Sequence, residues 1–439
     1  MLDVQILSKD RMTQSGRSLL DLMQSHSINS LDLLVRESLQ NSLDASKDRV
    51  NKSHVDVDFI SGKFNTTELC REFSFISERI KRRYPLPEYD FLAIRDSGTF
   101  GLTGTNSPDD DRSRLQSLIY QISKNQQVKG SGGNWGLGKT TYFRFGIGLV
   151  IYYSRTFEGG RHHSKLAASL VENEEGQPLV IEPGYRGISF FGRYVNPESD
   201  IHGVTVPLSN PEEISEILDI FSLSEYEGYD TGTTIIIPFI DFEKHLKEMR
   251  PDIQPGERES LWTKDIGSCL KILIQRWYAP RIANPRYRGS WLKPSVNGVL
   301  IRRSEMEPLF SLIQDLYNYS VNSNDRSELI EELGPDVIKS SPIACKSVSG
   351  QIGGHIASAY VGVGQLGLTT EFNRNAYALI GEPSASSGLP IVTFTRSPGM
   401  LIRYDTRFSP WVPANLNVDD DKILVCVFRL DSDRKLNDH

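Results

Sequence analysis

Glu37, Asn41 and Asp44 stand at helical spacing in the run Glu37-x-x-x-Asn41-x-x-Asp44-Ala45, and steps of four and three return to one side of a helix. A carboxylate there can orient or deprotonate a water, and a neutral amide oxygen one turn later can complete a Mg²⁺ shell made otherwise of waters and phosphates. Further on, Asp96-Ser97-Gly98-Thr99 follows a short apolar run, 91–94. The Asp96 carboxylate therefore falls at a strand end beside a turn, where it can accept the exocyclic amine of a base. Gly130, Gly132, Gly133, Gly136 and Gly138 then precede Lys139, Thr140 and Thr141. Glycines let backbone N–H groups approach phosphate oxygens, and a helix N-terminus after them adds partial positive charge. Last, Gly232-Thr233-Thr234 opens an apolar stretch, 235–238.

Each signature alone is common, since polar helix faces and Asp-Ser-Gly turns occur in many folds. In this order along one chain they resemble the ATP site of GHKL proteins, the group that contains gyrase B subunits, MutL, MORC proteins, HtpG and histidine kinases. The resemblance covers 30–240. It implies that Glu37 is the catalytic carboxylate, that Asn41 holds Mg²⁺, and that Asp44 supports the site through hydrogen bonds. Asp96 becomes the base-recognising residue, in a turn made with Gly98 and Gly101. The usual D-x-G-x-G spacing is departed from, because Gly101 comes one position late. Gly133, Gly136, Leu137, Gly138, Lys139 and Thr140 take the place of the ATP lid. Thr233 matches the residue that sets a hydroxyl beside the aspartate, with Thr234 as its substitute.

The fold so implied is α+β: a Bergerat-type sandwich, with a mixed, largely antiparallel sheet and helices on one face, over 1–245. A second, transducer-like α/β domain would follow over 255–439. In gyrase, MutL and HtpG-like ATPases that domain sends a basic residue back to the γ-phosphate, for which Lys293, Lys346 and Arg396 are candidates. A histidine kinase would need a dimerising helical pair with a phosphoacceptor before the Asn motif, and His26 in a Ser-rich turn does not read as one. The expected activity is Mg²⁺-dependent ATP hydrolysis by a nucleotide-gated clamp or switch that forms a homodimer with ATP, in a bacterial DNA-linked or defence setting. The alternatives are a chaperone-like ATPase acting on protein clients and an ATP sensor with little turnover.

A P-loop is a rival for one segment, because Gly133-x-x-x-x-Gly138-Lys139-Thr140 also fits that pattern. A P-loop needs a buried strand leading into the first glycine, and 121–129 is polar instead.

The elements that must position these residues are legible in outline. Val35, Leu39 and Leu43 make an apolar stripe within a mostly helical 14–49. Strand patterns fall at 55–59, 91–94, 147–153, 165–172 and 233–239. The polar stretch 241–259, with Pro251 and Pro255, marks a boundary. Beyond it, helical patterns at 261–277, 305–319 and 324–332 alternate with strand patterns at 296–302, 355–363, 391–395 and 423–428.

Composition bounds the rest. The 439 residues allow two or three domains, and a net charge of −7 argues against nucleic-acid binding through overall charge. One segment still suggests it: Arg276-Trp277-Tyr278-Ala279-Pro280-Arg281, continuing to Arg286, Arg288 and Trp291, where arginines meet phosphates and aromatics stack on bases. The bland reading, that Trp277 and Tyr278 are core and the arginines pair or snorkel, is favoured. Arg161-His162-His163 reads as an exposed hairpin rather than a metal site. Four scattered cysteines and the lack of an 18-residue apolar run point to a cytoplasmic protein with reduced thiols and no membrane span.

Overall fold

The computed structural model describes residues 1–7, 15–21, 28–46, 54–106, 113–120, 138–176, 180–181, 184–196, 203–250, 261–321, 337–347, 350–362, 366, 376–382, 388–396, 399–407 and 422–430. The chain divides into two compact units, Met1–Lys47 with Val55–His245, and Asp48–His54 with Leu246–His439.

In the first unit the elements run β1 (Asp3–Ile6), α1 (Gly16–Asp21), α2 (Ser30–Asp44), β2 (His54–Asn65), α3 (Thr66–Glu72), α4 (Ser74–Arg83), β3 (Glu88–Ser97) and α5 (Arg114–Ile119). A 3-10 turn, Gly138–Arg144, leads into β4 (Leu149–Glu158) and β5 (Arg161–Val171). Then come β6 (Ile188–Tyr194), β7 (Thr205–Val206), α6 (Pro211–Asp219), β8 (Gly232–Pro238) and α7 (Phe242–Met249). The expected helical stretch 14–49 is thus two helices, α1 and α2, among its described residues. Local chemistry sets several ends. The Asn65 side chain accepts from the Thr67 and Glu68 N–H groups at the start of α3, and Asn210 does the same for Glu212 ahead of α6, where Pro211 takes the first turn.

The strands order as β1-β6-β5-β4-β8-β3-β2, with β7 beside β6. Each of these pairings is antiparallel. β8 lies between β3 and β4, although β3 and β4 precede it in sequence. That insertion brings Gly232-Thr233-Thr234 to the end of β3.

Alternation sends two sets of side chains to opposite faces. On one face Phe91, Ala93, Ile151, Tyr153, Ala168, Phe191 and Ile236 join a core with Leu69, Phe73, Ile76 and Ile80 of α3 and α4 and with Ile214, Ile217 and Leu218 of α6. On the other face Leu92, Ile94, Val150, Tyr152, Ile235 and Ile237 are also buried. There Ser42 of α2 bonds Asp96, and Ser169 of β5 bonds the Ile119 carbonyl of α5. The expectation of helices on one face is therefore corrected: helices cover both. The physical reason is in the strands, where unbroken apolar runs such as 91–94 demand cover on both sides.

The second unit holds α8 (Ile266–Tyr278), the hairpin β9 (Trp291–Val296) and β10 (Val299–Leu300), and α9 (Pro308–Val321). It continues with β11 (Val337–Ser347), β12 (Gly350–Gly362), α10 (Ala376–Leu379), β13 (Ile391–Thr395), β14 (Leu401–Asp405) and β15 (Lys422–Leu430). Its five-stranded sheet runs β11-β12-β15-β13-β14, and β13 is parallel to β15 while the other pairs are antiparallel. α9 lies on β12 and β15. The helical pattern at 324–332 lies outside the described residues.

Candidate functional site

Asp96 ends β3 and is 8% exposed. Three donors from three separate parts of the sequence meet on its carboxylate. Thr99 Oγ1 donates to Oδ1 at 2.6 Å, the Thr233 N–H donates to Oδ1 at 3.0 Å, and Ser42 Oγ donates to Oδ2 at 3.1 Å. An ionised carboxylate offers about four acceptor directions, so one on Oδ2 is left over by these three bonds. Burial is the chief influence on this group and raises it from 3.8 to about 6, against the pull of the same three hydrogen bonds and of Arg95.

The turn after Asp96 is folded back on the carboxylate. Gly98 and Gly101 have φ of 77° and 68°, a region that L side chains rarely enter. The Gly101 N–H donates to Thr99 Oγ1 at 3.4 Å, and the Thr231 hydroxyl donates to the Thr99 carbonyl. A Cβ on Gly101 would stand 2.7 Å from the Arg155 carbonyl oxygen and 2.8 Å from Ser154 Oγ. The late glycine is thus the residue that lets the turn lie flat on β4. Ser154 holds it there, accepting from the Leu102 N–H at 2.8 Å and donating to the Gly232 carbonyl at 2.8 Å. Gly232 has its own reason: a Cβ would lie 2.1 Å from the Asp96 carbonyl oxygen.

α2 brings the first signature over this end of β3. Val35, Leu39 and Leu43 are buried, while Glu37 and Asp44 are half-buried and Asn41 is exposed, so the polar face read from the spacing is real. Ser42 looks inward, with its one proton shared between Asp96 and the Ser38 carbonyl, each 3.1 Å away. Asn41 Nδ2 donates to the hydroxyl of Tyr142 at 3.2 Å. Tyr142 is fully buried on the 3-10 turn, and burial pushes its hydroxyl up to about 12.

Two of the sequence-based assignments move. Thr233 reaches Asp96 through its backbone N–H, while its hydroxyl lies 3.5 Å from Ser154 Oγ. Thr234 points to the opposite face, is fully buried and meets the Tyr226 hydroxyl at 3.1 Å. Strand alternation puts the two threonines on opposite faces, so Thr234 cannot substitute for its neighbour. Tyr226 also donates to the Asp96 backbone carbonyl at 2.7 Å, and Arg95 covers its ring at 3.9 Å. This network supports β3 from behind.

Of the glycine run, Gly138 and Lys139 begin the 3-10 turn and Thr140 is buried within it. Gly133, Gly136 and Leu137 lie outside the described residues. Residues 121–132, where a P-loop would have its leading strand, also lie outside the described residues.

Sequence reasoning missed Ser42, Ser154 and Tyr142, and it gave Thr99 a place in the Asp96 signature but no role. A glycine one position late in the Asp96 turn was the only local signal, and it pointed to the close packing on β4 rather than to these partners.

The 276–281 part of the arginine segment behaves as core, whereas Arg286 and Trp291 are half-buried and Arg288 is exposed. Arg276 is 1% exposed and its Nε donates to the Leu379 carbonyl at 2.7 Å, while Trp277, Tyr278 and Arg281 are buried. Lys293 lies on β9, Lys346 on β11, and Arg396 just after β13, where its N–H bonds the Met400 carbonyl. His162 is the second residue of β5, with its ring 4.9 Å from that of Phe157 and 6.3 Å from that of Tyr229. Among the described residues no group of three or more His, Cys, Asp or Glu is placed to hold a metal, and no helix is long and apolar enough to cross a membrane. Cys70, Cys269 and Cys426 are buried. No family model matches the chain, and no curated protein matches it.

Proposed function

We propose that the chain is an ATP-binding, Mg²⁺-dependent ATPase of the GHKL type, with a Bergerat-type nucleotide domain over 1–245 and a transducer-like domain over 255–439. The observation that carries this reading is the meeting of three signatures on one buried carboxylate: the α2 motif through Ser42, the Asp96 turn through Thr99, and the Gly232 strand through Thr233. A single remaining acceptor direction on Oδ2 suits one donor, the exocyclic amine of adenine, and rejects guanine, whose carbonyl at that position cannot donate.

The chain's own residues divide the work by chemistry. Asp96 accepts from the base and fixes its orientation. Glu37, on the solvent side of α2, orients a water and takes its proton during attack on the terminal phosphate. Asn41, whose Nδ2 donates to the Tyr142 hydroxyl, would offer its carbonyl oxygen to Mg²⁺. One amide oxygen holds a cation only together with phosphate oxygens and waters. A bound Mg²⁺, with Asn41 as its protein ligand, would supply neutralisation of the charge that develops at the terminal phosphate. The resemblance assigns the glycine run 130–138 and Lys139 to contacts with the phosphates. We place the protein in the cytoplasm, as a clamp that dimerises on ATP, with nucleic acid or a protein subunit as its partner.

Equilibrium binding of a fluorescent ATP analogue tests the reading. Wild type should bind it and be displaced by ATP but poorly by GTP. Asp96→Asn should weaken binding about 10- to 100-fold, as loss of a charge-assisted bond and a misplaced amide donor require. Equal displacement by GTP and ATP would refute the role of Asp96.

A further inference from the structure

From Ile266 to Ser304 the chain carries eight Lys and Arg and no Asp or Glu, although acids outnumber these bases over its full length. Cations of this stretch that fold inward must find their partners elsewhere. Arg276 does so: its Nε donates to the Leu379 carbonyl at 2.7 Å, and its guanidinium lies over the Trp262 ring. Arg303 does so through Gln314 and Asp315 of α9. Arg281 does not. It ends the 3-10 turn after α8, Ala279–Arg281, and is 7% exposed. Its side chain makes no ion pair or hydrogen bond among the described residues, and its Nε is buried without an acceptor. What it meets is the ring of Tyr287, 4.6 Å from the guanidinium carbon. That ring is itself held in place. Tyr317 of α9 stacks on it at 6.0 Å and 19°, and Gly399 gives it room, since a Cβ there would stand 2.7 Å from Tyr287 Cε2. Burial raises both phenols, and the charge of Arg281 draws each of them back.

Burying a guanidinium costs far more than one ring face returns. The ring covers a face of the group, whereas all five N–H donors lie in its plane, where the fork matches two oxygens of an oxyanion. We infer that Arg281 is an anion site of the second unit and that its ligand is a phosphate group, either inorganic phosphate or the terminal phosphate of a small ester. Phosphate brings more charge and more acceptor oxygens to five unused donors than a carboxylate does. The little exposure that Arg281 keeps suits a terminal phosphate rather than a polynucleotide backbone, which tracks an open groove. Tyr287 is the positioning residue that holds the fork. This site stands apart from the nucleotide reading, because Arg281, Tyr287 and Tyr317 have no part in it.

Thermal melting and titration calorimetry of the full chain test this without nucleotide. The probes are sodium phosphate, glycerol phosphate, sodium acetate and sodium chloride at matched ionic strength, added to wild type, Arg281→Met and Arg281→Lys. Methionine removes a buried charge and keeps a long side chain, so in chloride Arg281→Met should melt at or above wild type. Saturating phosphate should raise the wild-type midpoint by about 3–6 °C and leave that of Arg281→Met unmoved. Arg281→Lys keeps the charge without the fork and should bind phosphate about 10-fold more weakly. Tighter binding of glycerol phosphate than of inorganic phosphate identifies an ester as the ligand, and the reverse order identifies the free ion. Equal gains from phosphate in wild type and Arg281→Met place the anion elsewhere and overturn the assignment. Wild-type gains from chloride or acetate that equal those from phosphate also overturn it, as does unchanged phosphate affinity in Arg281→Lys. Should Arg281→Met fail to fold, calorimetry of Arg281→Lys decides.

Discussion

The Ser42 hydroxyl lies 3.1 Å from Asp96 Oδ2, tying the last turn of α2 to the end of β3 across 54 positions of chain. Removing it should leave the carboxylate with two donors from one side. In Ser42→Ala the ionised form loses support, so the pH midpoint for nucleotide binding should move upward and affinity at pH 7 should fall about 5- to 10-fold. Analogue binding followed from pH 5 to 8 checks this. A midpoint equal to that of wild type would count against the bond.

Asp96 also leaves a mark on stability. Its carboxyl is raised from 3.8 to about 6, so between those values the native protein holds a proton that the unfolded chain has released. The associated stabilisation is complete below about pH 4 and is lost as pH rises through about 6, with a span of up to about 3 kcal/mol. Nucleotide binding runs the other way, since an amine donor needs the ionised form. Urea unfolding at pH 4.5 and 7.5 should show this fall in wild type and a smaller one in Asp96→Asn. Parallel profiles for the two proteins would contradict a raised Asp96.

Glu37 is assigned to chemistry and not to binding. Glu37→Ala should retain analogue affinity within about threefold, yet lower turnover about 10²- to 10⁴-fold, the usual worth of a positioned base. Steady-state phosphate release beside a binding curve gives both numbers. Turnover equal to wild type would make another group the base, and negligible turnover in both proteins would identify a sensor.

The two threonines of β8 should separate cleanly. Thr234→Val removes a hydroxyl that faces Tyr226 on the far side of the sheet, so it should cost about 1 kcal/mol of stability and leave nucleotide affinity within twofold. A loss of affinity as large as that of Ser42→Ala would put Thr234 back beside the ligand.

Gly101 and Gly159 share a left-handed backbone, with φ of 68° and 60°, but differ in surroundings. At Gly159 an added Cβ meets nothing within 4 Å, whereas at Gly101 it meets the Arg155 carbonyl at 2.7 Å. Gly159→Ala should cost about 1 kcal/mol through strain alone. Gly101→Ala should cost about 2–4 kcal/mol and weaken nucleotide binding as well, because the turn that carries Thr99 must shift. Chemical denaturation of the pair resolves the difference.

What the sequence could disclose divides along physical lines. Helical spacing put Glu37, Asn41 and Asp44 on one face, and the stripe of Val35, Leu39 and Leu43 located the buried side, because both are local and periodic. Asp96 at the end of an apolar run was equally legible. Ser42 was not: a serine inside an amphipathic helix carries no signal until the strand it meets is known. Tyr142 reads as core, which it is, and its hydroxyl gains meaning only through Asn41. The position of β8 between β3 and β4 is a matter of long-range pairing, invisible to any local pattern, and it decides which threonine is close to Asp96. The run 91–94 did hold a clue, since unbroken apolarity signals a strand covered on both faces, and it bears on the two-sided helical cover.

A crystal structure grown with a non-hydrolysable ATP analogue and Mg²⁺ confronts the central claim most directly. The adenine amine should lie within about 3 Å of Asp96 Oδ2, the separation of an ordinary hydrogen bond, with the phosphates over the polar face of α2. A nucleotide bound elsewhere on the chain, with Asp96 still holding only Ser42, Thr99 and Thr233, would contradict it.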